Sequence, residues 1–285
     1  MLPIESRIAV NDVELCLFEW PGDGRPIVLV HATGFHARCW DQVVAHLPGR
    51  HVYAVDMRGH GRSSKPAPPY PWDRFGDDLA AMARLLGIKE ATGVGHSMGG
   101  HSVVLAAARV PGAFAKLLLI DPVIMPRASY AAHRASTDGH FAARRRNEWA
   151  SASEMFERFK DRAPFSSWDP AVLRDYCDYG LVPSADAAGL VLACPPAIEA
   201  AIYAAAPGTD VYPAIESLEI PVRILRARQR PEGGAGPTDM GGSPTSPDLA
   251  THFRTAEDVS LEQYSHFIPM EAPDFVAAQI LEMAG

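Results

Sequence analysis

A serine set between glycines, Gly95-His96-Ser97-Met98-Gly99 with Gly100 next in line, is the grouping in this chain best suited to chemistry. It closes a short apolar stretch and opens an alanine- and valine-rich helical run over residues 102–109. Strand, sharp turn and helix in that order form a nucleophile elbow, which strains the serine backbone and presents its hydroxyl. Gly95 and Gly99 suit that turn, because a Cβ at either position would collide with the strand or helix as the turn closes. The helix N-terminus adds backbone N–H groups and a positive dipole end for a developing oxyanion. A serine hydroxyl is a poor nucleophile until a neighbouring base removes its proton. The motif therefore requires a base from among the 11 histidines of the chain.

The elements that must hold such a site follow a β–α rhythm. Residues 8–10 and 13–18, joined through Asn11-Asp12, read as an opening hairpin. Short apolar runs at 27–30, 52–55, 92–94, 116–120 and 222–225 read as buried strands, with helical stretches at 40–47, 77–86 and 102–109 between them. Continuous apolar strands alternating with amphipathic helices predict a mostly parallel α/β sheet covered on both faces. The rhythm breaks after Ile120 and resumes at Ile220-Pro221-Val222, closing with a helix around residues 274–283. The interval shows helical pieces rich in aromatics, among them Phe141, Trp149, Phe156, Phe159, Phe165, Trp168, Tyr176 and Tyr203. It reads as a helical cap, residues 122–213, over the carboxyl edge of a core formed by residues 1–121 and 214–285, the edge where open α/β sheets bind ligands. A glycine- and proline-rich stretch at 230–248 follows the seventh strand. Structureless loops of that length are uncommon in compact domains and are usually functional or mobile.

Bulk properties exclude several classes. With 285 residues and 47% hydrophobic content the chain has ample material for a core. A formal charge of −8 leaves no basic patch for nucleic acid, and Arg144-Arg145-Arg146 reads as a solvated helix face. Cys16, Cys39, Cys177 and Cys194 show no C-x-x-C spacing, so neither a zinc site nor a disulfide framework is expected. No signal-peptide segment and no run of membrane-spanning length is legible. The expectation is a cytoplasmic protein with no metal or other cofactor, acting on a small molecule.

Four motifs, each at an expected strand end, resemble the α/β-hydrolase superfamily over almost the whole chain. They are His31-Ala32-Thr33-Gly34-Phe35, then Asp56-Met57-Arg58-Gly59-His60-Gly61-Arg62-Ser63, the Ser97 elbow, and Ser265-His266-Phe267-Ile268-Pro269-Met270-Glu271-Ala272-Pro273. The resemblance implies an eight-stranded, mostly parallel hydrolase sheet flanked by helices, with the cap inserted after strand six. It implies Ser97 as nucleophile and His266 as base. His96 faces away along the elbow in this family, and His101, at the start of the helix, is a lesser candidate for the pocket floor.

The acid departs from the family's common pattern. Hydrolases of this fold usually place it beyond the seventh strand, where this chain reads Leu225-Arg226-Ala227-Arg228-Gln229-Arg230. Some relatives, certain haloalkane dehalogenases and zearalenone lactonases among them, carry it after strand six, where this chain has Asp121. Asp121 is the leading candidate, with Glu232, Asp239 and Asp248 of the long loop as alternatives; each keeps the order serine, acid, histidine. The resemblance assigns the oxyanion hole to the N–H groups of Thr33 and Met98, with Ala32 standing where relatives commonly have glycine. Phe35, Phe156, Phe159, Trp168 and Phe267 are the candidate substrate-binding residues. A serine at the elbow directs the reading to acyl transfer, with an ester or lactone carrying an apolar portion as substrate. Carbon–carbon bond hydrolysis and cofactor-free perhydrolysis or haloperoxidation are alternatives on the same triad. A non-catalytic ligand-binding protein is the reading from outside enzymology.

Overall fold

The structure, a computed structural model, describes residues 2–132, 140–184, 189–206, 208–229 and 241–285. Strands β1 (Ile4–Val10) and β2 (Val13–Trp20) form the expected hairpin. At its turn Asn11 takes φ 47°, the left-handed conformation that asparagine tolerates better than most residues. Strands β3 (Asp23–Val30), β4 (Arg50–Asp56), β5 (Ala91–His96) and β6 (Phe114–Ile120) follow. Three short strands, β7 (Glu148–Trp149), β8 (Leu181–Pro183) and β9 (Leu190–Leu192), lie in the insertion. Strands β10 (Val222–Ala227) and β11 (Ala256–Leu261) complete the main sheet.

Eight strands stand in the order β1-β2-β4-β3-β5-β6-β10-β11. β2 pairs antiparallel with β1 and β4, and every pairing from β4 to β11 is parallel. Alternation along each strand divides the core between two faces. Val28, Val30, Leu117 and Leu119 pack against Phe75, Leu79 and Val103 from helices Trp72–Leu85 and Met98–Arg109. Ile27, Leu29, Val94, Leu118 and Ile120 face the other way, onto Val43, Val276 and Ile280 from helices Asp41–Ala45 and Pro273–Ala284. The strand order reverses between β3 and β5, and open α/β sheets bind ligands at such a switch point, outside the carboxyl ends of the strands.

The segment between β6 and β10 differs from the purely helical cap expected of it. Besides helices such as Ala152–Phe159, Pro170–Tyr179 and Pro196–Ala204, it holds the antiparallel three-stranded sheet β7-β9-β8. Strands of two or three residues are too short to show a period in sequence. Trp149, Met155, Val172, Leu173 and Cys177 form a third apolar cluster, which joins the sheet domain through Phe267 and Met270.

Candidate active site

Ser97 terminates β5 and caps the helix Met98–Arg109 with φ 58° and ψ −119°. A non-glycine residue reaches that conformation only when its surroundings impose it. The glycines beside it permit the close approach. A Cβ on Gly95 would stand 2.3 Å from the Gly99 carbonyl oxygen, and one on Gly99 would stand 2.2 Å from that of Val30. The serine N–H donates to the Ile120 carbonyl at 3.0 Å, which ties the turn to the end of β6.

His266 lies in the loop between β11 and the helix Ile268–Glu271. Its Nδ1–H donates to Asp121 Oδ2 at 2.6 Å, so the ring presents Nε2 as an acceptor to the Ser97 hydroxyl 3.0 Å away. All three side chains are buried. The loop is held from two sides: His96 Nε2 donates to the His266 carbonyl at 2.8 Å, and the Glu271 carboxylate accepts from the Ser265 N–H at 2.9 Å and from its hydroxyl.

Asp121 follows β6 directly, with φ 42°. Its N–H continues the ladder to the Leu225 carbonyl at 2.7 Å. Its Oδ1 accepts from the Ala227 N–H at 3.0 Å and from the Ser243 hydroxyl, with Thr245 Oγ1 a further 3.3 Å away. These partners leave Oδ2 to His266. Ser243 and Thr245, which the sequence did not single out, belong to the described end of the long loop. That loop closes over Asp121 through Ser243 N–H to Arg228 O at 2.9 Å and Ser246 N–H to Ile124 O at 2.8 Å. Glu232 and Asp239 lie outside the described residues. Asp248 is exposed, accepts from the Ser246 hydroxyl and faces His252 at 3.6 Å, so it does not share His266.

Thr33 and Met98, the residues expected to supply the oxyanion hole, lie side by side, with Thr33 Oγ1 3.4 Å from Met98 Sδ. Among the described residues neither main-chain N–H has a hydrogen-bond acceptor. The loop carrying Thr33 is fixed by two neutral histidines: Gly34 N–H donates to His60 Nε2 at 3.0 Å, and Met57 N–H donates to His31 Nε2 at 3.0 Å. Burial pushes the His31 ring down to about 4 and holds His60 well below the usual histidine range, so both rings keep an accepting nitrogen at neutral pH.

Over this group lies a cavity of about 650 Å³, lined by Ser97, His266 and Thr33 and by Phe35, Trp168 and Phe267 of the expected aromatics. Phe156 and Phe159 do not line it. Phe159 stacks on Phe165 at 4.3 Å and meets Trp149 edge-on at 5.4 Å, while Phe156 lies under the Arg174 guanidinium, so both serve the packing of the cap. Phe141, Phe165, Tyr176 and Tyr203 take their place in the lining. The arginine triplet also differs from a solvated face. Arg144 and Arg146 are exposed, but Arg145 reaches the cavity wall and pairs with the buried Glu199. His101 is fully buried edge-on against Trp72; among the described residues neither ring nitrogen is bonded, and His101 does not line the cavity. Among the described residues no group of three or more histidine, cysteine or acidic side chains is placed to hold a metal, and no helix is long and apolar enough to cross a membrane.

A family model described as "Alpha/beta hydrolase family" matches residues 27–279. The non-heme chloroperoxidase of Streptomyces lividans is 39% identical over 109 residues, 37% of this chain and 40% of that protein. A bifunctional esterase/perhydrolase of Acinetobacter calcoaceticus is 37% identical over 117 residues, 40% of this chain and 42% of that protein. The matched stretch thus spans well under half the length of these curated relatives. Among solved structures, E-2-(acetamidomethylene)succinate hydrolase superposes with a TM-score of 0.74 over 98% of both chains at 22% identity, a likeness of fold.

Proposed function

The chain belongs to the alpha/beta hydrolase family, a family of hydrolytic enzymes, and from that premise we propose that it cleaves a carboxylic ester or lactone through an acyl-enzyme on Ser97. The observation that carries this reading is the continuous line from Asp121 through His266 to Ser97, 2.6 Å and 3.0 Å long, at the base of a cavity walled by aromatic rings.

In this reading His266 Nε2 takes the hydroxyl proton as Ser97 Oγ attacks the carbonyl carbon. The Thr33 and Met98 N–H groups bind the oxyanion, and the Asp121 carboxylate stabilises the imidazolium. Collapse breaks the bond to the leaving oxygen, which receives the proton from His266 and departs as an alcohol. A water molecule then gives a proton to His266 and attacks the acyl carbon, releasing the acid and restoring the Ser97 hydroxyl. The strained Ser97 backbone holds Oγ towards the cavity without a further conformational step.

A panel of p-nitrophenyl esters and simple lactones, assayed with the wild type and with Ser97→Ala, tests the proposal. Turnover lost on substitution supports it, and turnover retained in Ser97→Ala protein free of host esterases overturns it. A second reading is favoured by the names of the chloroperoxidase and the esterase/perhydrolase. Hydrogen peroxide in place of water would attack the same acyl-enzyme and release a peracid. Competition between water and peroxide for a preformed acyl-enzyme separates the two readings.

A further inference from the structure

The cavity wall contains a charged group that ester cleavage itself does not require. Arg145 Nη1 donates to Glu199, and its Nη2 donates to the Tyr176 hydroxyl at 2.7 Å. A guanidinium has five N–H donors, and among the described residues these two are the ones with partners. Burial works against the Arg145 charge, but Tyr176 and Glu199 beside it outweigh burial and keep it firmly protonated. The group also lies next to the candidate oxyanion loop: a Cβ built on Gly34 would stand 3.5 Å from Arg145 Nη1.

Arg145, its side chain 23% exposed and with donors to spare, stands beside the aromatic rings of the cavity wall, where it can bond a further acceptor. The balance of charge indicates what kind of acceptor fits. Among the described residues Arg145 and Arg228 line the cavity against the carboxylate of Glu199, so an arriving anion would neutralise the excess. A planar guanidinium matches a carboxylate in charge and in its pair of parallel donors.

We infer that the substrate carries a carboxylate, held by Arg145, in addition to the acyl bond cleaved at Ser97; hemi-esters of dicarboxylic acids are the simplest compounds of this kind. This inference rests on the hydrolase reading of the same site.

Its test compares monoethyl glutarate and monoethyl adipate with ethyl pentanoate in a pH-stat assay of kcat/KM. At least one hemi-ester should exceed the neutral ester by about tenfold to hundredfold, the range of a charge-assisted hydrogen bond. Arg145→Gln should lower that ratio towards one. Arg145→Lys keeps the charge that pairs with Glu199 but loses the fork, and it should give an intermediate ratio even if the glutamine variant folds poorly. Binding is read separately by titrating glutarate into Ser97→Ala protein, with and without Arg145→Lys. A neutral ester preferred by the wild type, or an anion preference unchanged in Arg145→Lys, would overturn the inference while leaving the hydrolase reading intact. Glutarate binding that depends on Arg145, in a protein whose wild type cleaves none of the esters, would instead uphold the carboxylate site and overturn the hydrolase reading.

Discussion

Replacing Asp121 by asparagine tests the proposed acid through a consequence that the geometry imposes. In the wild type Oδ1 sits against two donors, the Ala227 N–H at 3.0 Å and the Ser243 hydroxyl, while Oδ2 faces His266 Nδ1 at 2.6 Å. An asparagine amide has one acceptor oxygen, and the Ala227 N–H cannot turn away, so the oxygen must take the Oδ1 position. The NH₂ group then points at His266 Nδ1, which must become an acceptor, and the ring proton moves to Nε2, facing Ser97. A ring protonated on that side cannot take the serine proton. The corresponding change in a serine protease costs about 10⁴-fold in turnover, equivalent to about 5 kcal/mol of barrier. Folding should change far less, since the backbone donor keeps its acceptor. The assay is kcat on p-nitrophenyl acetate beside thermal melting of the same preparation. A melting temperature close to wild type with kcat reduced by about three to four decades is expected. Turnover within about tenfold of wild type would refute both the role of Asp121 and the tautomer argument.

Three further outcomes follow from the packing and electrostatics. Ser243→Ala removes one charge-assisted bond from Asp121 and should lower kcat about tenfold with little change in KM, measured by steady-state kinetics. Phe159→Ala should destabilise the protein by about 2 kcal/mol in urea denaturation without altering ester chain-length preference, because its contacts are with Phe165 and Trp149; Trp168→Ala, in the cavity wall, should alter that preference. Burial lowers the His101 ring to about 4. The unfolded chain, with an ordinary histidine pKa of about 6.5, therefore binds more protons than the folded one between those values, and stability falls as pH drops through that window. His101→Leu should remove this part of the acid loss and add about 1 kcal/mol at neutral pH, read from melts between pH 7.5 and pH 4.5.

The sheet and the serine turn were legible because their signals are local. The central strands are short apolar runs, whereas β11, with Glu257, Asp258 and Ser260, carries no such run, and the elbow states its own geometry in the spacing of Gly95, Ser97 and Gly99. Asp121 was legible as the leading partner for His266, but the sequence left Glu232, Asp239 and Asp248 open beside it. That pairing depends on Ser243 and Ala227, which lie more than a hundred residues further along and reach it only through the parallel pairing of β6 with β10. Phe156 and Phe159 illustrate a different limit. Aromatic residues in a short amphipathic helix reveal that one face is buried, but not whether that face meets a cavity or its own domain. Arg145 was hidden by its neighbours, since a run of three arginines resembles a solvated surface although the middle side chain turns inward to Glu199. The cap sheet left no signal because its strands, two or three residues long, are too short to show a period.

Whether Ser97 is an activated nucleophile is measured most directly by fluorophosphonate labelling followed by mass spectrometry of the digested protein. A hydroxyl paired with His266 Nε2 at 3.0 Å should be phosphonylated at a single site, the peptide bearing Ser97. The label should be absent from Ser97→Ala and strongly slowed in Asp121→Asn. Wild-type protein that stays unlabelled, or that carries the label on any other residue, would contradict a catalytic Ser97.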